Sequence, residues 1–351
     1  MEVYGIDVGY GFTKVVTATG RRASFPSVCK PAAGDGLAEI FGSAAADHRL
    51  RLMTPGAGFQ EFLVGRSALA ADAIRSWSTA GSARADYPML AMAALAVVNA
   101  KGPVSIAVGL PLSVYADKSE QRALRAALEG VSGLVELDGR GPEEIEITSV
   151  RVYPQAVGAY FAFAAGPQGA RLGARALGVV DIGYRTTDYL LLQPQRGALV
   201  PDSSELSGSI DVGIGDAMTA VAQSLSQTHG LSFALPDTAI EEALLGDGCM
   251  GIRGQAVDLR PAYRLRAEQL GLEITERLRH VWAKRLDRLG GIVLVGGGGA
   301  AVQPFVGLPG AVLADDPVYA NAIGFLRMAR MKLGASVSHT ANTSRERTAG
   351  I

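Results

Sequence analysis

Cysteine is scarce in this chain of 351 residues, which holds only Cys29 and Cys249. Two thiols so far apart in sequence supply neither a disulfide framework nor a cysteine-based zinc site, and both read as small apolar residues of a reducing compartment. Net charge is also nearly absent: 33 Lys and Arg stand against 34 Asp and Glu, a balance of −1. The strongly basic footprint of a nucleic-acid-binding chain is therefore missing. No basic region leads into an apolar stretch at the N-terminus, so no secretory leader is expected. The longest weakly polar runs, 87–100 and 156–166, fall short of the ~20 residues of a membrane span. The histidines at 48, 229, 280 and 339 show no metal-ligand spacing. The expectation is a cytoplasmic protein without direct contact to membrane or DNA.

Glycine, by contrast, is abundant. The chain has 44, well above the usual ~7%, without the Gly-X-Y period of collagen. Such residues belong at turns and close backbone approaches. An apolar fraction of 48% excludes a disordered chain. The length exceeds the ~250–300 residues at which one hydrophobic core stops growing, which predicts two domains.

Strands and helices alternate along the chain, the pattern of α/β layers. Residues 3–7, 12–18 and 21–28 read as a strand meander with a tight turn at Gly9 and Gly11. Residues 31–66 are turn-rich and give no clear assignment. Helices are expected over 68–77, 87–100 and 118–128, and strands over 104–109 and 145–153. A second half then repeats the first. A helix over 154–165 precedes a buried strand at 176–181, a turn at Gly183 and a strand at 186–192. Helices over 216–228 and 261–289, a strand at 292–295 and a helix over 318–332 complete the pattern, and 336–351 reads as a disordered tail. Strand, Asp-x-Gly, turn and strand thus occur twice, at Asp7 and Asp181, which points to duplication of a hairpin module.

The first copy reads Asp7-Val8-Gly9-Tyr10-Gly11-Phe12-Thr13-Lys14. Glycines in a hairpin turn backbone N–H groups inward toward an anion, with a Thr13 hydroxyl and the Lys14 ammonium as further donors. Asp7 at the strand end suits Mg²⁺ held through water. The second copy, Asp181-Ile182-Gly183-Tyr184-Arg185-Thr186-Thr187-Asp188, repeats carboxylate, glycine and hydroxyls. Gly296-Gly297-Gly298-Gly299 follows an apolar strand, where bare backbone admits a flat ligand. No Lys-Ser/Thr follows that run, so it is not a Walker A loop. Gly9-x-Gly11 lacks a third glycine and opens a strand, so it is not a dinucleotide fingerprint.

In their order, Asp7–Lys14, Pro154-Gln155-Ala156, Asp181–Asp188, Gly296–Gly299 and Asn321-Ala322-Ile323-Gly324 resemble the superfamily of actin, the heat-shock chaperones and the sugar kinases. The branch they resemble is that of bacterial and archaeal actin-like proteins of the plasmid-segregation type, and Val212-Gly213-Ile214-Gly215-Asp216 adds to the likeness. The resemblance spans roughly 1–333. It implies an α/β fold of two actin-like (ribonuclease H-like) domains flanking a nucleotide cleft: 1–153 with 318–335 returning to it, and 154–317. It further implies ATP (or GTP) with Mg²⁺, slow hydrolysis and self-association into dynamic filaments, with a DNA-bound adaptor as partner if the cargo is a plasmid. Carried over, Asp7 and Asp181 would organise the metal. Gly9, Gly11, Phe12, Thr13, Lys14, Gly183 and Thr186 would hold phosphates. Gly213, Gly215 and Asp216 would lie near the ribose, Gly296–Gly299 near the adenosine, and Gln155 would orient the attacking water. Tyr184 and Arg185 depart from the glycine of actin's second loop and are not taken as site residues. The alternative is a small-molecule kinase of the same superfamily, with Asp86, Asp117 or Asp138 as its base.

Overall fold

The structure, a computed structural model, describes residues 1–32, 48–54, 58–70, 86–172, 175–196 and 198–333. The expected tail and the distal part of the helix expected over 68–77 lie outside them. The first lobe contains strands β1 (Glu2–Val8), β2 (Phe12–Thr17), β3 (Arg22–Pro26), β4 (Cys29–Pro31), β5 (Arg49–Thr54) and β6 (Gly58–Val64). After helices α1 (Arg66–Ala70) and α2 (Tyr87–Val97) come β7 (Gly102–Leu110), α3 (Leu112–Tyr115), α4 (Lys118–Leu128), β8 (Ser132–Leu137) and β9 (Glu143–Pro154). The strands form one nine-stranded sheet in the order β3-β2-β1-β7-β9-β8-β5-β6-β4. Helix α2 carries no charged side chain and buries Leu90 through Ala96 without interruption, as a helix apolar all round must. Helix α4 has one apolar stripe, Leu124 and Leu128, and starts where the Asp117 side chain accepts the Ser119 N–H.

The second lobe runs from α5 (Val157–Ala164) and α6 (Pro167–Leu172) into β10 (Leu177–Ile182), β11 (Thr187–Gln195), β12 (Ala198–Pro201) and β13 (Gly208–Ile210). Then follow α7 (Ile214–Thr228), α8 (Asp237–Leu245), the hairpin β14 (Cys249–Ile252) and β15 (Gln255–Asp258), and α9 (Arg260–Trp282). Strand β16 (Gly291–Val295), the short α10 (Gly299–Val302), β17 (Ala311–Leu313) and α11 (320–333) complete the described residues. The second sheet has the order β12-β11-β10-β16-β17, with β13 also on β11.

The duplication expected from the sequence is a duplication of topology. In each lobe the hairpin strands pair antiparallel, β1 with β2 and β10 with β11. The first strand of each then pairs in parallel with a later one, β7 or β16, which pairs in parallel with the next, β9 or β17. Both hairpin turns therefore sit at the carboxyl ends of parallel strands, the edge at which open α/β sheets place ligands. Helix α11 returns to the first lobe and packs Ala322, Phe325, Leu326 and Ala329 with Val3, Val16, Ala107 and Tyr153. It crosses α5 at two glycines: a Cβ on Gly324 would stand 1.7 Å from the Gly158 carbonyl oxygen, so only bare backbone permits the crossing.

Several elements depart from the sequence reading. The unassigned stretch before residue 66 contributes β4, β5 and β6 to the first sheet, and β8 was not foreseen. The expected helix over 261–289 ends at Trp282 and continues as a 3₁₀ segment, Ala283–Arg288. Residues 154–156 are not helical, because Ala156 takes φ +62° before α5 begins.

Candidate functional site

A cleft of about 580 Å³ opens between the lobes, lined by both hairpins, by the strand ends at Gly109–Pro111 and Gly296–Gly297, and by α7, α8 and the start of α9. Its polar floor is built from matching positions of the two hairpins. Asp7 stands across from Lys14 in the β1–β2 register, and Asp181 stands across from Asp188 in the β10–β11 register. Asp7 is buried, with Lys14 Nζ 3.4 Å from Oδ2 and the Gln155 side-chain amide donating to Oδ1 at 2.9 Å. Asp181 receives a 2.6 Å hydrogen bond from Asn321 Nδ2. Burial pushes the Asp181 carboxyl up to about 6, and the charge on Asp7 adds to the shift. Burial likewise pushes Asp188 up to about 7, against the lowering effect of the Ser209 hydroxyl and with Asp181 adding to the rise.

Asn321 ties the floor together. Its carbonyl oxygen accepts the N–H groups of Ala156 (3.1 Å) and Ala159 (3.2 Å) at the start of α5, while its amide nitrogen holds Asp181. These bonds stabilise the left-handed Ala156, a conformation costing on the order of 1–3 kcal/mol in a non-glycine residue. Gln155, one residue earlier, is thereby aimed at Asp7. The remaining wall comes from the helices of the second lobe: Ile214 and Met218 of α7, Glu241, Leu244 and Leu245 of α8, and Arg260 and Tyr263 of α9. Glu241 is buried, and Arg260 is fixed by two bonds to Asp258, of 2.8 and 3.0 Å. Burial, with the charge of Glu241, raises the Tyr263 phenol to about 12.

Two family models match this chain: "Actin like proteins N terminal domain" over residues 5–158, and "Archaeal actin homologue MreB-like, C-terminal" over 179–306. The chain belongs to the actin-like proteins. It is similar to an archaeal actin homolog of Thermoplasma acidophilum, 29% identical over 339 residues that cover 93% of this chain and 98% of the relative. A solved archaeal actin homolog in complex with ADP superimposes with a TM-score of 0.73 at 26% identity, covering 94% of this chain and 100% of that one. A 15-stranded ParM filament from Clostridium botulinum gives a TM-score of 0.79 at 20% identity over 94% of this chain and 99% of its subunit, a likeness of fold. The two lobes are the two domains of the actin-like fold, as expected.

Of the residues singled out in sequence, this actin-like chain brings Asp7, Gly9, Gly11, Phe12, Lys14, Gln155, Asp181, Gly183, Thr186, Gly296 and Gly297 to the cleft. Gly296 needs its residue type twice over, for φ +89° and because a Cβ would stand 2.3 Å from the Ile182 carbonyl oxygen. The others do not line the cleft. Side chains alternate along β2, so with Phe12 and Lys14 facing the cleft Thr13 faces away, 2.9 Å from the Ser27 hydroxyl. Gly213 and Gly215 make room for Tyr184, and the exposed Asp216 accepts the Gly213 N–H at 2.8 Å to cap α7. Gly298 donates its N–H to Ile182 and packs on Ile182 and Ile214, and Gly299 opens α10 against Leu313. Tyr184, set aside in sequence, does line the cleft, as do Asp188, Glu241, Arg260, Tyr263 and Asn321. None of Asp86, Asp117 and Asp138 does. Asp117 caps α4, and Asp138 pairs with His48 at 3.0 Å and with the Arg49 N–H at 2.8 Å. Among the described residues no helix is long and apolar enough to cross a membrane.

Proposed function

We propose that this chain binds ATP with Mg²⁺ between its two domains, hydrolyses it slowly, and assembles with ATP into dynamic filaments that serve plasmid or DNA segregation or a prokaryotic cytoskeleton. The observation that carries the reading is the convergence of two equivalent glycine hairpins on one cleft, with Asp7, Asp181, Lys14 and Gln155 on its floor. The ADP complex of the 26%-identical archaeal homolog and the filament of the ParM neighbour support it. The domain limits proposed are 1–153 with 318–335, and 154–317.

The donor set suits magnesium. No three His, Cys, Asp or Glu side chains among the described residues are grouped to cage a metal directly. Mg²⁺ keeps most of its waters and takes one or two carboxylates together with phosphate oxygens. Asp7 and Asp181 are the two carboxylates, and the floor that holds them has Lys14 as its cation against the acids Asp7, Asp181 and Asp188. The bound ion would neutralise phosphate charge. Lys14 and the backbone of both turns would hold the phosphates. The amide nitrogen of Gln155 is engaged by Asp7, so its carbonyl oxygen is the atom that would accept a hydrogen bond from the attacking water. An amide orients water without removing its proton, which gives slow turnover.

Phosphate release and light scattering by the full chain with ATP, GTP or ADP, each with and without magnesium, test the reading. Scattering that rises with a nucleoside triphosphate and decays as phosphate appears is expected. A chain that neither binds nucleotide nor polymerises would overturn it. Stoichiometric transfer of phosphate to a sugar would replace it with the kinase reading.

A further inference from the structure

The second hairpin carries a bulky residue at its tip, and that residue is wedged between the lobes. One face of the Tyr184 ring meets Gly11 of the first lobe so closely that a Cβ there would stand 2.6 Å from Cδ2 and 3.0 Å from Cβ of the tyrosine. The ring also covers Gly215 in the first turn of α7, where a Cβ would stand 2.4 Å from Cε1. The hydroxyl donates to Asp237 Oδ2 at 2.6 Å, at the start of α8, and the backbone carbonyl accepts the Gly215 N–H at 2.7 Å. One side chain therefore touches the first hairpin, α7 and α8. The neighbouring contact is also between lobes. Tyr10 of the first hairpin packs on the core of the second lobe, and its ring lies 5.5 Å from the Arg185 guanidinium, which Asp211 holds at 3.6 Å.

We propose that Tyr184 is a positioning residue: it sets how far the first hairpin closes onto the second lobe, and it passes that closure to α8. The proposal rests on the nucleotide reading of the cleft, because α8 supplies Glu241, Leu244 and Leu245 to the wall while Gly9, Gly11 and Lys14 belong to the hairpin at the other end of the contact. A rigid aromatic ring has few rotamers and close-packed neighbours, so it transmits displacement instead of absorbing it. A ligand that draws the Gly11 turn inward meets the ring, and the ring is bonded to the first turn of α8. Nucleotide contacts at the hairpin and at α8 are thereby made cooperative, which favours a ligand long enough to touch both, a nucleoside di- or triphosphate, over inorganic phosphate alone.

The test is a double-mutant cycle on the full chain with Gly11→Ala, Tyr184→Ala and the pair together, alongside Tyr184→Phe. Two readouts are used: affinity for a fluorescent ATP analogue with magnesium, and hydrogen exchange of the peptides covering 7–14 and 237–245 without nucleotide. Gly11→Ala alone is expected to weaken binding about tenfold, within the coupling range of residues in direct contact. It should also speed exchange in the hairpin, and both effects should largely vanish in the double variant. Tyr184→Phe, which keeps the ring, is expected to speed exchange in 237–245 while leaving 7–14 unchanged. Additive effects in the cycle, or unchanged exchange at 237–245 in Tyr184→Phe, would overturn the proposal. If Gly11→Ala does not fold but the double variant does, the contact is supported. If neither folds, Tyr184→Phe decides by its exchange pattern. A wild-type chain that binds no nucleotide yet shows suppression in exchange would remove the nucleotide reading and leave the wedge intact.

Discussion

The two hairpins share strand order, register and an aspartate at the end of the first strand, yet they differ in the residue across from it. In the first lobe that residue is Lys14, and in the second it is Asp188. Asp7 is thus met by a cation and by Gln155 from its own surroundings. Asp181 and Asp188 are both buried and both raised, and the groups that donate hydrogen bonds to them are neutral, among them Asn321, Ser209 and the Leu112 N–H. Duplicated backbone has been given opposite electrostatics. The first hairpin resembles a finished ion pair, while the second holds negative charge that a bound cation would relieve.

Substitution at the matching cross-strand positions should have effects of opposite sign. Lys14→Ala leaves Asp7 buried without its cation and is expected to destabilise the ligand-free protein by about 3 kcal/mol, the scale for breaking a buried pair. Asp188→Asn removes a like charge beside Asp181, at the cost of one acceptor. It is expected to stabilise the metal-free protein at pH 8 by about 1 kcal/mol, each unit of carboxyl elevation being worth ~1.4 kcal/mol. Urea unfolding of both variants decides, and destabilisation of similar size in the two would erase the distinction between the hairpins.

Gln155 belongs electrostatically to the first hairpin although β9 and α5 deliver it. Gln155→Ala should lower phosphate release about 100-fold, the scale of losing the orientation of a reacting group. Nucleotide affinity should change less than about threefold, because Lys14 and the turns remain; steady-state hydrolysis beside equilibrium binding separates the two.

The same asymmetry predicts a pH dependence. Asp181 and Asp188 keep their protons to about 6 and about 7 in the folded chain, whereas the unfolded chain ionises near ~4. Across that window the folded state binds more protons, so this contribution to stability is complete below about pH 4 and is lost as pH rises to about 7. Midpoints of urea unfolding without metal should therefore decline from pH 5 to pH 8, and the decline should be shallower in Asp188→Asn. Magnesium with nucleotide should stabilise more at pH 8 than at pH 6.

This contrast was only half legible in the sequence. The hairpins were visible because β-branched runs and glycine turns recur, and Asp7 and Asp181 follow from their place at strand ends. By residue type Thr13 is a phosphate donor, but the two-residue alternation of β2 turns it toward Ser27. Gly213, Gly215 and Asp216 carry a motif-like spelling, but their work is to cap α7 and seat Tyr184. Asn321, Glu241, Arg260 and Tyr263 reach the cleft from segments remote in sequence, and no local spacing joins them to the hairpins. Asp188 closes the second motif, but only the strand register reveals that it faces Asp181. In β6 the adjacent Gln60 and Glu61 break the two-residue alternation, whereas Arg49-Leu50-Arg51-Leu52 of β5 alternates but is too short to stand out inside a turn-rich stretch.

The smallest expected effect concerns how the second hairpin's charge is used between the lobes. The Ser209 hydroxyl donates to Asp188 and accepts the Ser113 N–H at 3.3 Å, while Asp188 accepts the Leu112 N–H at 3.4 Å. Both N–H groups lie in the first lobe, at the start of α3, so the acid pair also bonds across the cleft. The two N–H bonds across the cleft are long, and Ser209→Ala should cost about 1 kcal/mol, the net value of an ordinary hydrogen bond. Losing the hydroxyl also removes the bond that lowers Asp188, so the pH-dependent decline should steepen and extend to higher pH. The first hairpin has Lys14 in the place of Asp188, so an equally small change there, Ser27→Ala beside Thr13, should leave the pH profile unmoved. Urea midpoints of the two serine variants over the same pH range distinguish a hydroxyl that tunes charge from one that only fills a bond.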